Sequence, residues 1–359
     1  MGRPGCAAVP DSGIATENPR SPGAIPMRNL TKSAIAYGTA LFLAVCTFKL
    51  LQTIHGPNIA DLADVAFGVT EGTPRGIAFQ NRLLGPWLVR LMSETGISFE
   101  SALWRFHFVF LALQCVLLVG LLRRSGLKTH HALAQLVVFL FMFLVLQFYW
   151  YHTWDILDMI LFTLVAYGAF QAKGILYFTM IFAVALLNRE SSLFVALFLM
   201  LDSVTVDAQK RRWVLDAPRK LAVGAMLLVL GLAFTVLVRQ LTLVEATDIP
   251  DETRQMILGN ELHLAQNLRD LLVNNLLSIN IIYTVFILGS FAVFLGQFRR
   301  LSASGVKCLI LALLIFANIM VFGIIIETRM LLILLPLFLF LWNDLQRGRA
   351  KTEPGISGI

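Results

Sequence analysis

Charge is what this chain has least of. Asp, Glu, Lys and Arg make up 14% of its 359 residues, against 57% hydrophobic residues. That balance excludes an ordinary water-soluble domain and points to an all-α, polytopic helical membrane protein. Cysteine is scarce as well. Of Cys6, Cys46, Cys115 and Cys308, the last three lie inside apolar runs and none has metal-ligand spacing, so neither a disulfide framework nor a zinc site is implied. No apolar stretch precedes Ser33, and a cleavable signal peptide is not expected. Residues 1–30 are rich in Gly, Pro and Ser and are expected to form a disordered cytoplasmic tail. Met27-Arg28-Asn29-Leu30-Thr31-Lys32 runs straight into the first apolar stretch and reads as a natural start, which would make the residues before it dispensable. The formal charge of +7 would suit an acidic partner, but its basic residues sit mostly in short loops between apolar runs. That is the positive-inside pattern, and no nucleic-acid partner is expected. No internal repeat is visible, which argues against the inverted-repeat transporter folds.

Long apolar runs are what the chain has instead. The first, 33–54, follows Arg28 and Lys32, which places the N-terminus in the cytoplasm. A polar outer loop, 55–100, comes next. Residues 102–122 return to Arg123, Arg124 and Lys128; 131–151 go out, and 154–172 come back to Lys173. Tyr149, Trp150, Tyr151 and Trp154 read as an aromatic belt at the outer interface. The stretch 174–201 decides the rest. As one helix it would be roughly 42 Å long, too long for a hydrocarbon core of about 30 Å. It would also put the later basic residues on the wrong side. As a hairpin with Asn188-Arg189-Glu190 at its tip, it returns Lys210, Arg211, Arg212, Arg219, Lys220, Arg299 and Arg300 to the cytoplasm. Each arm is then too short to cross fully, and the tip should be recessed in a polar cavity. Residues 220–241 go out to a second outer loop, 242–274, holding a surface helix over 252–272. Then 275–297, 306–326 and 330–342 complete about ten crossings. The transmembrane domain thus covers 31–346, with a short cytoplasmic tail at 347–359.

Threaded this way, four polar clusters share the face opposite the basic loops: Asp61 and Asp64 with Gln80, Asn81 and Arg82; His152, Asp155 and Asp158; Asn188, Arg189 and Glu190; and Glu327 with Arg329. Charges near hydrocarbon cost several kcal/mol unless paired or wetted, so they are functional candidates by default. Asp61 and Asp64 are one helical turn apart, so both carboxylates can share a face. Mutual repulsion would raise one pKa and suit a general base; the same oxygens would suit a divalent cation, the one optional cofactor. Two solvated loop acids are the plain alternative. The segment from Phe79 through Leu88 reads as a re-entrant or interfacial helix, in which Arg82 can grip a phosphate or merely anchor to anionic lipid. Asp155 fits a helix N-terminal cap, whereas Asp158 lies a turn deeper than capping explains. His152 suits a proton shuttle or an interfacial hydrogen bond. For Asn188-Arg189-Glu190, an ion-pair lock of Arg189 with Glu327 or Asp158, and of Glu190 with Arg329, competes with ligand binding. Arg82, Arg189 and Arg329 together would hold a phosphate or pyrophosphate.

The arrangement resembles the GT-C class of membrane glycosyltransferases. Shared features are a cytoplasmic N-terminus, about ten spans, an acidic pair in the first outer loop and a short amphipathic element after it. Asn188-Arg189-Glu190-Ser191-Ser192 and Glu327-Thr328-Arg329 with Leu335-Pro336 also look like motifs of uncharacterised bacterial multi-span proteins. The Asp-x-x-Asp spacing is wider than the usual acidic pair, and the soluble C-terminal domain that many members carry is not expected here. The resemblance implies a bacterial inner-membrane enzyme that takes a polyprenyl-phosphate sugar, with membrane lipids around it, and acts at the extracytoplasmic face. Asp61 or Asp64 would be the catalytic base. The three arginines would stabilise the departing phosphate, and Gln80, His152, Asp155, Asp158, Asn188, Glu190 and Glu327 would bind or orient substrate. Rivals are a polysaccharide polymerase or ligase, which normally carries a larger outer loop; a transporter with buried ion-pair gates; and a non-catalytic subunit. The sequence carries no signature of sugar, acceptor or oligomeric state.

Overall fold

A computed structural model of the protein describes residues 27–73, 81–147, 151–207, 212–242, 262–275, 278, 280–323, 325 and 327–352. Apolar runs become helices because a helix satisfies its own backbone hydrogen bonds, a requirement wherever water is excluded. In chain order they are α1 (Met27–His55), α2 (Ile59–Thr70), α3 (Leu84–Ser93), α4 (Phe99–Arg124), α5 (Thr129–Leu146), α6 (Thr153–Phe170), α7 (Ile175–Asn188), α8 (Leu193–Leu201), α9 (Pro218–Thr242), α10 (Leu264–Arg269), α11 (Ile281–Gly296), α12 (Ala303–Phe322) and α13 (Leu334–Thr352). Among the described residues, seven helical stretches are long and apolar enough to cross a membrane: 33–70, 99–124, 129–146, 153–170, 218–238, 303–322 and 328–348. Three shorter apolar helices, 175–188, 190–201 and 281–296, accompany them. Large apolar side chains face outward, Phe42 being 66% and Val229 65% exposed. Such a surface needs lipid, and the chain is a helical membrane protein.

The stretch 174–201 is a hairpin. Arg189 has extended backbone (φ −170°, ψ 163°) and ends α7. The chain then folds back, so that the Phe178 ring near the start of α7 lies 5.1 Å from the Phe198 ring near the end of α8. α6 lies centrally; its residues are buried over nearly its whole length, including Asp155 and Asp158. The far end of the bundle is tied by Asp202, which accepts hydrogen bonds from Lys220 and Lys307 and so joins α8, α9 and α12. A short antiparallel pair, β1 (Val204–Asp207) and β2 (Arg212–Leu215), follows α8 in the register Val204↔Leu215 to Asp207↔Arg212.

One segment differs from the sequence reading. The expected loop 55–100 begins as helix, α2 following α1 after a single 3-10 turn, while α3 at Leu84–Ser93 fits the short helix expected from Phe79 onward but starts later. Leu62, Ala63, Val65, Ala66 and Val69 form a buried stripe along α2, while Asp61 and Asp64 share its exposed side. That amphipathic spacing outweighs the acids and glycines that suggested a loop. The expected surface helix 252–272 lies partly outside the described residues; its described part holds α10 and a π turn, Asp270–Asn274. The aromatic belt is also revised. Tyr151 and Trp154 are 1% and 0% exposed, inside the protein rather than at an interface; Tyr149 and Trp150 lie outside the described residues.

Candidate functional site: a buried acid and arginine network

At one end of the bundle, four segments distant in sequence converge on the start of α6. Asp155 occupies the third position of α6 and accepts a hydrogen bond from the His152 backbone N–H at 3.3 Å, the returning half of a capping box. Its two oxygens face different arginines, Oδ1 at 3.6 Å from Arg189 Nη1 and Oδ2 at 3.8 Å from Arg329 Nη1. One turn deeper, Asp158 accepts from Asn188 Nδ2 at 2.8 Å and from Ser191 Oγ at 3.0 Å, with Arg189 Nη1 at 3.8 Å. Asn188 also donates to the Trp154 carbonyl at 2.9 Å. The hairpin tip is thus stitched to α6 on both sides of its break. Arg329 in turn donates to Glu327 at 2.8 Å, and Thr328 to the Leu146 carbonyl at 2.6 Å.

The segment before α3 closes the network. Asn81 Nδ2 donates to Glu190 Oε1 at 2.7 Å, and the Leu83 N–H donates to the Leu187 carbonyl at 3.0 Å. Arg82 lies over the Trp154 ring, 4.7 Å from its centroid, and is 5% exposed. Its close seat depends on Gly85, where a Cβ would come within 2.5 Å of Thr153 Oγ1. Burial, then the neighbouring Arg189, pushes the Arg82 guanidinium down to about 9; Glu190 opposes the fall and Arg329 adds to it. Arg82 therefore stays a cation at neutral pH, one of three crowded together. Burial, then Arg329 and Arg82, hold the His152 imidazole well below its ordinary value, so it is neutral at physiological pH. His152 stacks on Trp154 with centroids 4.5 Å apart.

Of the sequence candidates, the structure brings together Arg82, His152, Asp155, Asp158, Asn188, Arg189, Glu190, Glu327 and Arg329. Gln80 lies outside the described residues. Asp61 and Asp64 lie on the exposed side of α2, and the bonds described above do not run through them. The pairing follows expectation for Arg189 with Asp158 and departs from it elsewhere: Arg189 also faces Asp155, Glu190 takes Asn81, and Arg329 takes Glu327 and Asp155. Among the described residues no group of three or more His, Cys, Asp or Glu side chains is placed to hold a metal ion. Sequence reasoning missed Trp154, Ser191 and Thr328, each adjacent or nearly so to a charged candidate; that adjacency was the available signal. It also missed a buried stack beside Asp155, in which His107 lies 3.8 Å and His55 5.8 Å from the Tyr151 ring.

Two cavities flank the hairpin. On the α7 side an apolar groove of about 720 Å³ runs between α6 and α7, from Leu84 and Leu157 down to Leu164 and Tyr177. On the α8 side a cavity of about 430 Å³ has Arg189 and Glu190 among its lining. Compared with known protein families, curated proteins and solved structures, the chain matches none.

Proposed function

We propose that the protein is a membrane glycosyltransferase, moving a sugar from a polyprenyl-phosphate donor to an acceptor at the extracytoplasmic face of a bacterial inner membrane. The observation that carries this reading is the meeting of Arg82, Arg189 and Arg329, from three separate segments, in one buried network, with Leu84, two residues after Arg82, in the lining of an apolar groove. Three guanidiniums crowd one buried place beside carboxylates, and a phosphate accepts several bonds from such groups at once. The contacts of Arg189 and Arg329 with Asp155, at 3.6 and 3.8 Å, are longer than the 2.7–2.9 Å of a tight charge-assisted bond. A purely structural lock would close them. Loose pairs can re-aim toward a ligand.

In this reading the polyprenyl chain lies in the groove between α6 and α7 and its phosphate sits by Arg82. An acceptor hydroxyl attacks the anomeric carbon, the bond from that carbon to the phosphate oxygen breaks, and the arginines stabilise the charge left on phosphate. The proton goes to a carboxylate: Asp61 or Asp64 by resemblance, or Glu190, which the fold puts beside the α8-side cavity.

The test follows release of free polyprenyl phosphate from a panel of polyprenyl-phosphate sugars, using protein in nanodiscs. Arg82→Gln should lower the rate by about 100-fold or more, the cost of removing one preorganised donor. Asp61→Asn with Asp64→Asn, set against Glu190→Gln, identifies the base. Failure of wild type to bind any such donor would sink the proposal. The transporter reading is favoured by one observation: His107, Tyr151 and the buried Gln114–Thr163 hydrogen bond at 2.9 Å carry polarity from the network into the bundle. Substrate-dependent proton flux in proteoliposomes would select it.

A further inference from the structure

The two cavities beside the hairpin differ in chemistry. The α7-side groove is apolar from end to end. The α8-side cavity has apolar depths, lined by Leu197, Leu228 and Ile333, but Arg189, Glu190 and Asn318 line it toward the network end. It is therefore amphiphilic along its length. A water-soluble ligand would leave its apolar walls unused, and a plain hydrocarbon would set carbon against the Glu190 carboxylate and the Asn318 amide. The charge at that end is also assigned. Arg189 faces Asp155 and Asp158 and in the donor reading turns to the donor phosphate, so an anionic head in this cavity would meet the Glu190 carboxylate.

We propose that this cavity binds the acceptor, and that the acceptor is itself an amphiphile: a membrane lipid whose uncharged, hydroxyl-bearing head lies against Glu190 and Asn318 while a chain lies among α8, α9 and α12. This rests on the glycosyl-transfer reading for the acceptor role. The hairpin is then the partition between two lipids. Its tip is the wall they share, since Arg189 reaches Asp155 and Glu190 accepts from Asn81 on the donor side. Transfer takes place across the tip, and neither chain leaves the bilayer.

The experiment uses full-length protein in nanodiscs and, as probe, a monoglycosyl diacylglycerol with a photoactivatable diazirine in one acyl chain. Labelled sites are mapped by peptide mass spectrometry. Labelling should concentrate on α8, α9 and α12 near Leu197 and Leu228. Leu197→Trp, which fills the cavity, should reduce it by roughly tenfold through loss of a few buried methylenes' worth of contact. Leu197→Ala should keep it, which separates blockage from misfolding. Met180→Trp, in the other groove, should spare this label and weaken binding of polyprenyl phosphate instead. Equal labelling of wild type and Leu197→Trp, or labels spread evenly over lipid-facing helices, would overturn the proposal while leaving the donor reading intact. Localised labelling with no polyprenyl-phosphate binding would keep the lipid site, and the acceptor role and the transfer reading would both fall.

Discussion

Arg189 faces two carboxylates at 3.6 and 3.8 Å with its own side chain only 13% exposed. Removing one partner from such a group leaves the others buried and unpaired, which costs about 3–5 kcal/mol. Arg189→Ala should therefore lower the melting temperature sharply in detergent. Arg189→Gln combined with Asp158→Asn removes both charges and should recover most of that loss, yet still bind donor weakly. Full recovery of binding would make Arg189 a structural residue. His152 gives a pH signature. Its imidazole is held neutral in the fold, below its ordinary value of 6.5, so on acidification the unfolded chain takes the proton first. Stability should fall as pH drops below about 6.5. His152→Gln should flatten that part of the profile, and parallel curves for the two proteins would refute the assignment. Apart from Arg189 with Asp158, which acid meets which arginine was not legible in the sequence, because it depends on the angles at which three segments arrive at the start of α6. That these residues belong together was legible, since each is too costly to leave alone in an apolar run.

Among elements, the hairpin α7–α8 was readable from one magnitude, the mismatch between a stretch of apolar residues and the thickness of a bilayer. α2 was not, because Asp61 and Asp64 in a polar stretch suggested a loop and its buried stripe is short; a helix at α3 was expected, though it begins later than the sequence reading placed it. The β1–β2 pair has no counterpart in the sequence reading; alternation over four residues is too brief to stand out. α3 owes its position to a small side chain. At Gly85 a methyl group would meet Thr153 Oγ1 at 2.5 Å and Thr153 Cβ at 2.7 Å. Gly85→Ala should push α3 off the start of α6, at about 1–3 kcal/mol for overpacking. The move would lift Arg82 from Trp154, and the change in Trp154 fluorescence should track the loss of donor binding. Unchanged fluorescence with normal binding would show that α3 can shift without disturbing the network.

At the scale of the molecule, the open quantity is the number of crossings. Seven stretches are long enough and three shorter apolar helices accompany them. Seven crossings put the chain ends on opposite sides and ten put them on the same side. With both ends cytoplasmic, a fluorescent protein fused after Thr352 should mature and shine, whereas alkaline phosphatase fused there should be inactive. The reverse pattern would remove the sidedness on which the extracytoplasmic site depends. One contact also sets a clock. Thr328 bonds the Leu146 carbonyl, 182 residues earlier in the chain. At about 5–20 residues per second, synthesis needs on the order of ten to forty seconds to bridge that gap. For nearly all of it Asp155 is already made, while Arg329, one of the two arginines it faces, does not yet exist. The nascent protein must shelter a charge from lipid while the ribosome is still working. Its birth therefore relies on the insertion machinery for longer than its finished, self-neutralised form would suggest.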